Sequence, residues 1–427
     1  MSQNRYRPAR RKTQRRWRVP PALTHGDDVF EGLSVLGEVS GEAGLMLWQS
    51  LRDALLWGEA SPAARGALFA PEAETRRMAA LLAAALDAEV ETPLAALAHV
   101  VGNPGAVTEE EVAQACRRIA KWAEGEGLPA CALAFAQAAA LVTPHDPVAA
   151  YQVARLARHR AEHARAESWY RRAVALARQA GDWRTYTQSF LGMGNLYVQR
   201  GNFPAATRML VRALKASDRN SLHELRGAAF HDLFGIAIET GDGRSAERYA
   251  RSAYEAYGPH HPRVPNLAND VAYWWTTQGH FARALPVLQS VLPHIRDVPM
   301  RVATLGDLGR AAGGVGDREA FREAWDGAME LVASPECGHT APRAWLDLAQ
   351  GAISLGLWER AEEAARQALE GATRRSDGKT RITAEALLDA ARRHHHARDL
   401  TPATPAVLEP TASDALAEEF VSCLAVV

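Results

Sequence analysis

A small residue returns down this chain at a nearly fixed interval. Ala132, Ala166, Ala206, Ala246, Ala284 and Ala361 mark it, with Phe321 standing at the sixth position, and the successive steps are 34, 40, 40, 38, 37 and 40 residues. Self-similarity at that period is the sequence mark of stacked helical hairpins, each of which needs its neighbours to bury its apolar face. The period therefore predicts an all-α fold. It also sets a first expectation about function, because such arrays bind other macromolecules and do no chemistry.

Local signals agree with the period. Thr108-Glu109-Glu110-Glu111 spells a capping box, in which hydroxyl and carboxylate each satisfy an orphan amide. Asp146-Pro147 and Ser221-Leu222-His223-Glu224 read as further helix starts. Gly127, Gly201, Gly241, Gly279, Gly316 and Gly356 fall at the hairpin turns, where a left-handed residue ends a helix. These signals place the array at residues 108–398.

Residues 25–107 read as a helical cap over the open end of the array. Leu45, Trp48, Leu51 and Leu55 share one helical face. Ser61-Pro62 and Thr92-Pro93 look like helix starts, and Pro71 opens a helix carrying Met78, Leu81, Leu82 and Leu86. Residues 1–24 form a basic arm without apolar period, expected to be disordered. Residues 399–427 are a proline-containing linker and a short tail, read as a frayed end or a short amphipathic helix over 413–427.

The net charge of −1 hides an asymmetry. Residues 1–18 carry eight cations and no acid, and the remainder of the chain is −9. Arg10, Arg11, Lys12, Arg15 and Arg16 are the candidates for polyanion binding, with Tyr6 and Trp17 available to stack on bases. The arm equally fits a solvated tail or an anionic membrane surface. Only four of the basic residues are lysine, the bias of a GC-rich coding sequence, so single arginines carry little weight. No apolar run reaches the roughly 18 residues of a membrane span. Cys116, Cys131, Cys337 and Cys423 form no ligand cluster and suit a reducing cytoplasm.

The residues over 108–398 resemble the tetratricopeptide repeat family. The clearest copy runs from Leu191 to Ala206, with Gly194, Tyr197, Gly201, Phe203 and Ala206 at the family's small, aromatic and turn positions, followed by Ala213. The first copy is similar through Ala120, Ala123, Gly127, Ala132, Ala139 and Pro144, and the last through Ala349, Gly356, Trp358, Ala361 and Ala368. The long steps are similar to bacterial long-period adaptors and regulators. The resemblance implies a right-handed α-solenoid of about seven hairpins and a non-enzymatic scaffold, without cofactor, that holds a partner protein or peptide. Phe321 and the Gly313-Gly314 pair depart from the pattern, so the sixth copy is expected to be distorted.

In the family the first helix of each hairpin lines a concave groove. On that frame the groove residues are Tyr151 and Arg155; Gln188, Asn195 and Gln199; His231 and Asp232; Asn269, Asp270 and Tyr273; Asp307 and Arg310; and Asp347. Asn195 stands where such proteins hydrogen-bond a peptide backbone. Asp232, Asp270, Asp307 and Asp347 share one frame position. They read either as solvated or arginine-paired aspartates, or as an acidic stripe for a basic peptide. In the second case the basic arm itself is a ligand that folds back over the groove. The alternative to a scaffold is a nucleic-acid-associated regulator working through residues 1–18.

Two motifs look like chemistry. His159-Arg160-Ala161-Glu162-His163 spells an inverted zinc-protease signature, but it straddles a predicted turn, where the two histidines cannot share a helical face. His394-His395-His396 reads either as an adventitious transition-metal site or as cations at a helix end.

Overall fold

The computed structural model describes residues 19–22, 32–84, 86–332, 337, 340–394 and 410–425. Among them are twenty α-helices and no strand. The chain divides into two compact units, residues 1–225 and 226–427. Arm residues 1–18, and His395 and His396, lie outside the described residues.

In the first unit, four helices precede the repeats: α1 (Leu33–Glu38), α2 (Gly41–Glu59), α3 (Ala73–Ala84) and α4 (Ala88–Gly102). Three hairpins follow: α5 (Glu109–Gly125) with α6 (Pro129–Val142), α7 (Pro147–His159) with α8 (His163–Ala180), and α9 (Trp183–Gln199) with α10 (Phe203–Arg219). Helix α11 (His223–Glu239) contains the boundary between the units. In the second unit it pairs with α12 (Gly243–Tyr257), and α13 (Val264–Thr277) pairs with α14 (Phe281–Val291). Then come α15 (Val298–Val315) with α16 (Arg318–Val332), α17 (Ala341–Ser354) with α18 (Trp358–Arg374), and the single helices α19 (Gly378–Arg392) and α20 (Pro410–Leu424).

One turn links nearly all the repeat helices. Gly127, Ala161, Gly181, Gly201, Ser221, Gly241, Gly279, Gly316, Gly356 and Ser376 all have positive φ, and each lies two residues before the next helix. Between 161 and 241 the spacing is a constant 20 residues, which is the physical origin of the 40-residue step. At several of these turns the next residue caps the following helix with its side chain. Asp182, Asn202 and Asp242 accept the amides of Thr185, Ala205 and Ser245 at 3.0–3.1 Å. Ser221 is thus the left-handed turn residue and not the N-cap that its motif suggested. A non-glycine residue pays roughly 1–2 kcal/mol for that conformation.

The cap segment is helical but differs in detail. Ser61-Pro62 opens only a turn and a short 3-10 segment, Arg65–Ala67. Helix α4 begins at Ala88, where Asp87 accepts from Glu89 N at 3.1 Å, so Pro93 lies inside it. Leu45 and Leu82 are exposed, and Leu51, Leu55 and Leu81 supply the core. The cap meets the repeats through a carboxylate. Helix α6 has no capping side chain of its own, and Glu38 takes its Ala130 and Cys131 amides at 2.7 and 2.8 Å. A negative charge at a helix N-terminus is stabilising there. Glu38→Gln is expected to lower stability by about 1–2 kcal/mol, measured by thermal melting, with faster amide exchange at Ala130 and Cys131.

The sixth copy is complete. Helix α15 runs unbroken to Val315, and its glycines are the reason for its close packing. A Cβ at Gly313 would lie 2.4 Å from the Gly351 carbonyl oxygen, and one at Gly306 would lie 2.8 Å from Ala344 Cα. Helices α15 and α17 therefore touch backbone to backbone. Phe321 is fully buried, and its ring edge reaches Gly351.

The C-terminal helix is docked. Leu416, Ala417, Phe420 and Leu424 form one stripe and are buried in the second unit's core. Phe420 meets Tyr254 edge-on at 5.2 Å. Arg251 pairs with Glu419 and Arg283 with Asp414, both at 2.6 Å, and His294 Nε2 lies 2.9 Å from the Leu424 carbonyl. Of the two readings of the tail, the structure shows the helix, laid against α12, α13 and α14.

Candidate functional site

The residues expected to line the first-helix face divide sharply by unit. In the first unit, Gln188 and Asn195 on α9 are half-buried, Gln199 is exposed, and none of the three makes a hydrogen bond among the described residues. Tyr151 on α7 tilts against Tyr170 with ring centres 6.1 Å apart. Arg155 is committed: its guanidinium grips Glu124 at 2.5 and 2.7 Å, and its Nε donates to Gln152.

In the second unit two of the four aspartates are paired with arginine. Asp270 lies 2.9 Å from His231 Nε2. Asp307 and Asp347 are buried, and Asp347 accepts from Arg310 Nη1 at 3.1 Å. Arg343 reaches both carboxylates at 3.8 Å while stacking over Tyr273 at 4.2 Å. Asn269 accepts from Thr304 Oγ1 at 2.8 Å, deep in the packing. Asp232 is half-buried. Asp307 and Asp347 are thus buried against arginines of their own unit, while Asp270 is exposed beside His231.

Asp307 Oδ1 has no hydrogen-bond donor, and burial, with Asp347 beside it, pushes its carboxyl well above the usual carboxylate range. The sign follows from linkage. A carboxyl whose folded pKa is raised favours the fold below its unfolded value near 3.8, and that favour is lost as pH rises through the folded pKa. Asp307→Asn is therefore expected to raise the melting temperature at pH 8, with the gain shrinking toward pH 4. A constant difference across that range would show that Asp307 does not titrate this way.

The structure also places three other features. His159 ends α7 and His163 begins α8, so the zinc-protease spelling is broken by the turn at Ala161. His394 stacks on Trp358 at 5.0 Å. Burial pushes the thiols of Cys116 and Cys131 up to about 12, far from thiolate chemistry at neutral pH.

A large open cavity lies in the first unit, on the other side of α9. It is an open groove of about 970 Å³ between the second helices α8 and α10. Trp183, Tyr186, Phe190, Met193 and Tyr197 form its floor, spaced 3, 4, 3 and 4 residues apart on one face of α9. The rings meet edge to face: Trp183–Tyr186 at 5.5 Å and 76°, Tyr186–Phe190 at 4.9 Å and 73°. Val174, Ala175 and Met209 complete the apolar walls. The rim carries Arg171, Arg178, Arg212, Lys215 and Arg219, and among the described residues no carboxylate lines the groove. Arg171 is held by Glu167, and Arg212 lies 5.7 Å over the Phe190 ring. Pro20 also lines the groove, and Arg172 Nη1 donates to its carbonyl at 2.8 Å.

Sequence reasoning missed this groove. The aromatic spacing on α9 was visible, but at helical period such a stripe also describes core. Only the separation of α8 from α10 leaves it open.

A family model, the tetratricopeptide repeat, matches residues 146–219. Residues 146–219 carry tetratricopeptide repeats. The matched residues are helices α7 to α10, so the groove belongs to the tetratricopeptide segment itself. No curated protein matches the chain. Among solved structures, the chain is similar to BtubC (BKLC) from P. vanneervenii, at 20% identity over 53% of this chain and 92% of that one, with a TM-score of 0.41. A Rap protein complexed with competence and sporulation factor is similar at 11% identity over 82% and 98%, with a TM-score of 0.44. The tetratricopeptide assignment rests on the matched repeats and on the helical-hairpin architecture. No helix among the described residues is long and apolar enough to cross a membrane.

Proposed function

We propose that this chain is a non-enzymatic protein-interaction scaffold that holds a peptide segment of a partner protein in the tetratricopeptide repeats of its first unit. The observation that carries the reading is the open aromatic groove over α9. It presents about 970 Å³ lined by rings and thioether, with charged groups only at its rim. Apolar floors with a few polar groups at the edge are the usual form of a binding site. Partly exposed tyrosine and tryptophan are the side chains that most often dominate interface energy. The uncommitted amides of Gln188 and Asn195, on the opposite face of the same helix, offer donors and acceptors for a second stretch of peptide backbone.

A displayed random-peptide library selected on the full chain tests the proposal. Enriched peptides should bind wild type and lose about tenfold or more in affinity on Tyr186→Ala, the effect of truncating one anchor ring. Tyr186 is only half-buried, so the variant should keep its helical signal and melting temperature. A library that yields no peptide sensitive to Tyr186 would remove the groove from the function.

A further inference from the structure

The groove over α9 is already touched by the chain's own Pro20, within the segment Val19-Pro20-Pro21-Ala22. Pro20 is half-buried at its edge, and its carbonyl is fixed by Arg172. A pair of prolines favours the extended polyproline II form, which has no internal hydrogen bonds and leaves its carbonyls free for side-chain donors. Aromatic grooves take such segments because the rings pack on a stiff, apolar ligand that loses little entropy. The seat of Pro20 is thus a sample of the chemistry that this surface accepts.

The charge around the seat points one way. Arg178, Arg212, Lys215 and Arg219 border the groove, and among the described residues no carboxylate lines it. These cations attract an acidic partner. Resting on the scaffold reading above, we propose that the groove binds an acidic, proline-bearing peptide of the partner. Its proline would lie on the Trp183–Tyr186–Phe190 floor, and its carboxylates would reach the rim. Arg212, Lys215 and Arg219 are exposed on α10, one turn or so apart, so successive acidic residues of an extended chain can meet them. Nucleic acid shares the charge preference but not the floor. Consecutive bases stack on ring faces, and these rings stand edge to face at 73° and 76°.

The test uses the full chain and three labelled probes: the peptide Glu-Asp-Val-Pro-Pro-Ala-Glu-Asp, the same core flanked by lysines, and a dT12 oligonucleotide. Fluorescence anisotropy at low salt should show the acidic probe binding at least about tenfold tighter than the lysine probe. The double variant Lys215→Glu with Arg219→Glu should weaken the acidic probe by a similar factor and leave the melting curve in place, since both side chains are exposed. Equal affinity for the two peptides, or indifference to the charge reversal, overturns the acidic assignment. Tight dT12 binding that competes with the peptide overturns it in favour of nucleic acid. Absence of acidic-probe binding also overturns it. In each of these cases the peptide library reports separately on the scaffold reading. Tyr186-sensitive library peptides that lack acid or proline would leave the scaffold standing and sink only this inference.

Discussion

Gly313→Val is expected to destabilise the second unit by about 3 kcal/mol or more, enough to shift its thermal transition by several degrees. The reason is the target of the clash. A Cβ at this position would lie 2.4 Å from the Gly351 oxygen and 2.5 Å from its Cα, both backbone atoms of α17. Flexible side chains can swing away from an added methyl, but a helix backbone must move as a body. Overpacking usually costs about 1–3 kcal/mol, and this site belongs at or above the top of that range. Gly235, inside α11, is the internal control. A Cβ there meets nothing within 4 Å. Gly235→Ala should therefore stabilise by about 0.5–1 kcal/mol, the ordinary helix-propensity gain. The same unit thus holds two helical glycines whose substitution carries opposite signs. Chemical denaturation of both variants checks the pair, and a stable Gly313→Val would disprove backbone contact between α15 and α17.

Phe420→Ala is expected to release α20. Phe420 is fully buried and supplies the edge-on contact to Tyr254. Truncating a buried phenylalanine costs about 3–5 kcal/mol. A terminal helix attached through a few side chains cannot lose more than its own docking energy, so the effect should be local. Amide exchange over residues 411–424 should rise to nearly free rates, while that of α15 and α17 stays slow. Glu418→Ala, at an exposed position of the same helix, should leave exchange unchanged. Uniform acceleration across the unit would mean that α20 is an integral layer of the core.

Much of this fold was legible in the sequence because its signals are local. The Thr108 capping box, the turn glycines and the 40-residue step each depend on neighbours a few positions away, and each appears where it was read. The readings that failed needed information from another helix. Thr92-Pro93 looked like a start because proline suits a first turn, but Asp87 captures the amide earlier. Gly313-Gly314 looked like weakness because the α17 backbone that fills the space cannot be seen from α15 alone. Whether the aspartates stood open or paired with arginine was left undecided, because a cation can come from the next repeat, as Arg343 does for Asp307. The α9 groove was hidden for the converse reason: its rings have the period of core residues, and only the gap between α8 and α10 exposes them.

The docking of α20 bears on the order in which the chain is made. Its ion pairs and hydrogen bonds join residues 130 to 168 positions apart, against the short-range contacts of the hairpins. At about 5–20 residues per second of synthesis, roughly ten to thirty seconds separate the emergence of α12 to α14 from that of their cover. Throughout that interval the strip around Tyr254 faces the ribosome's surroundings, a target for chaperones and for premature association with other nascent chains.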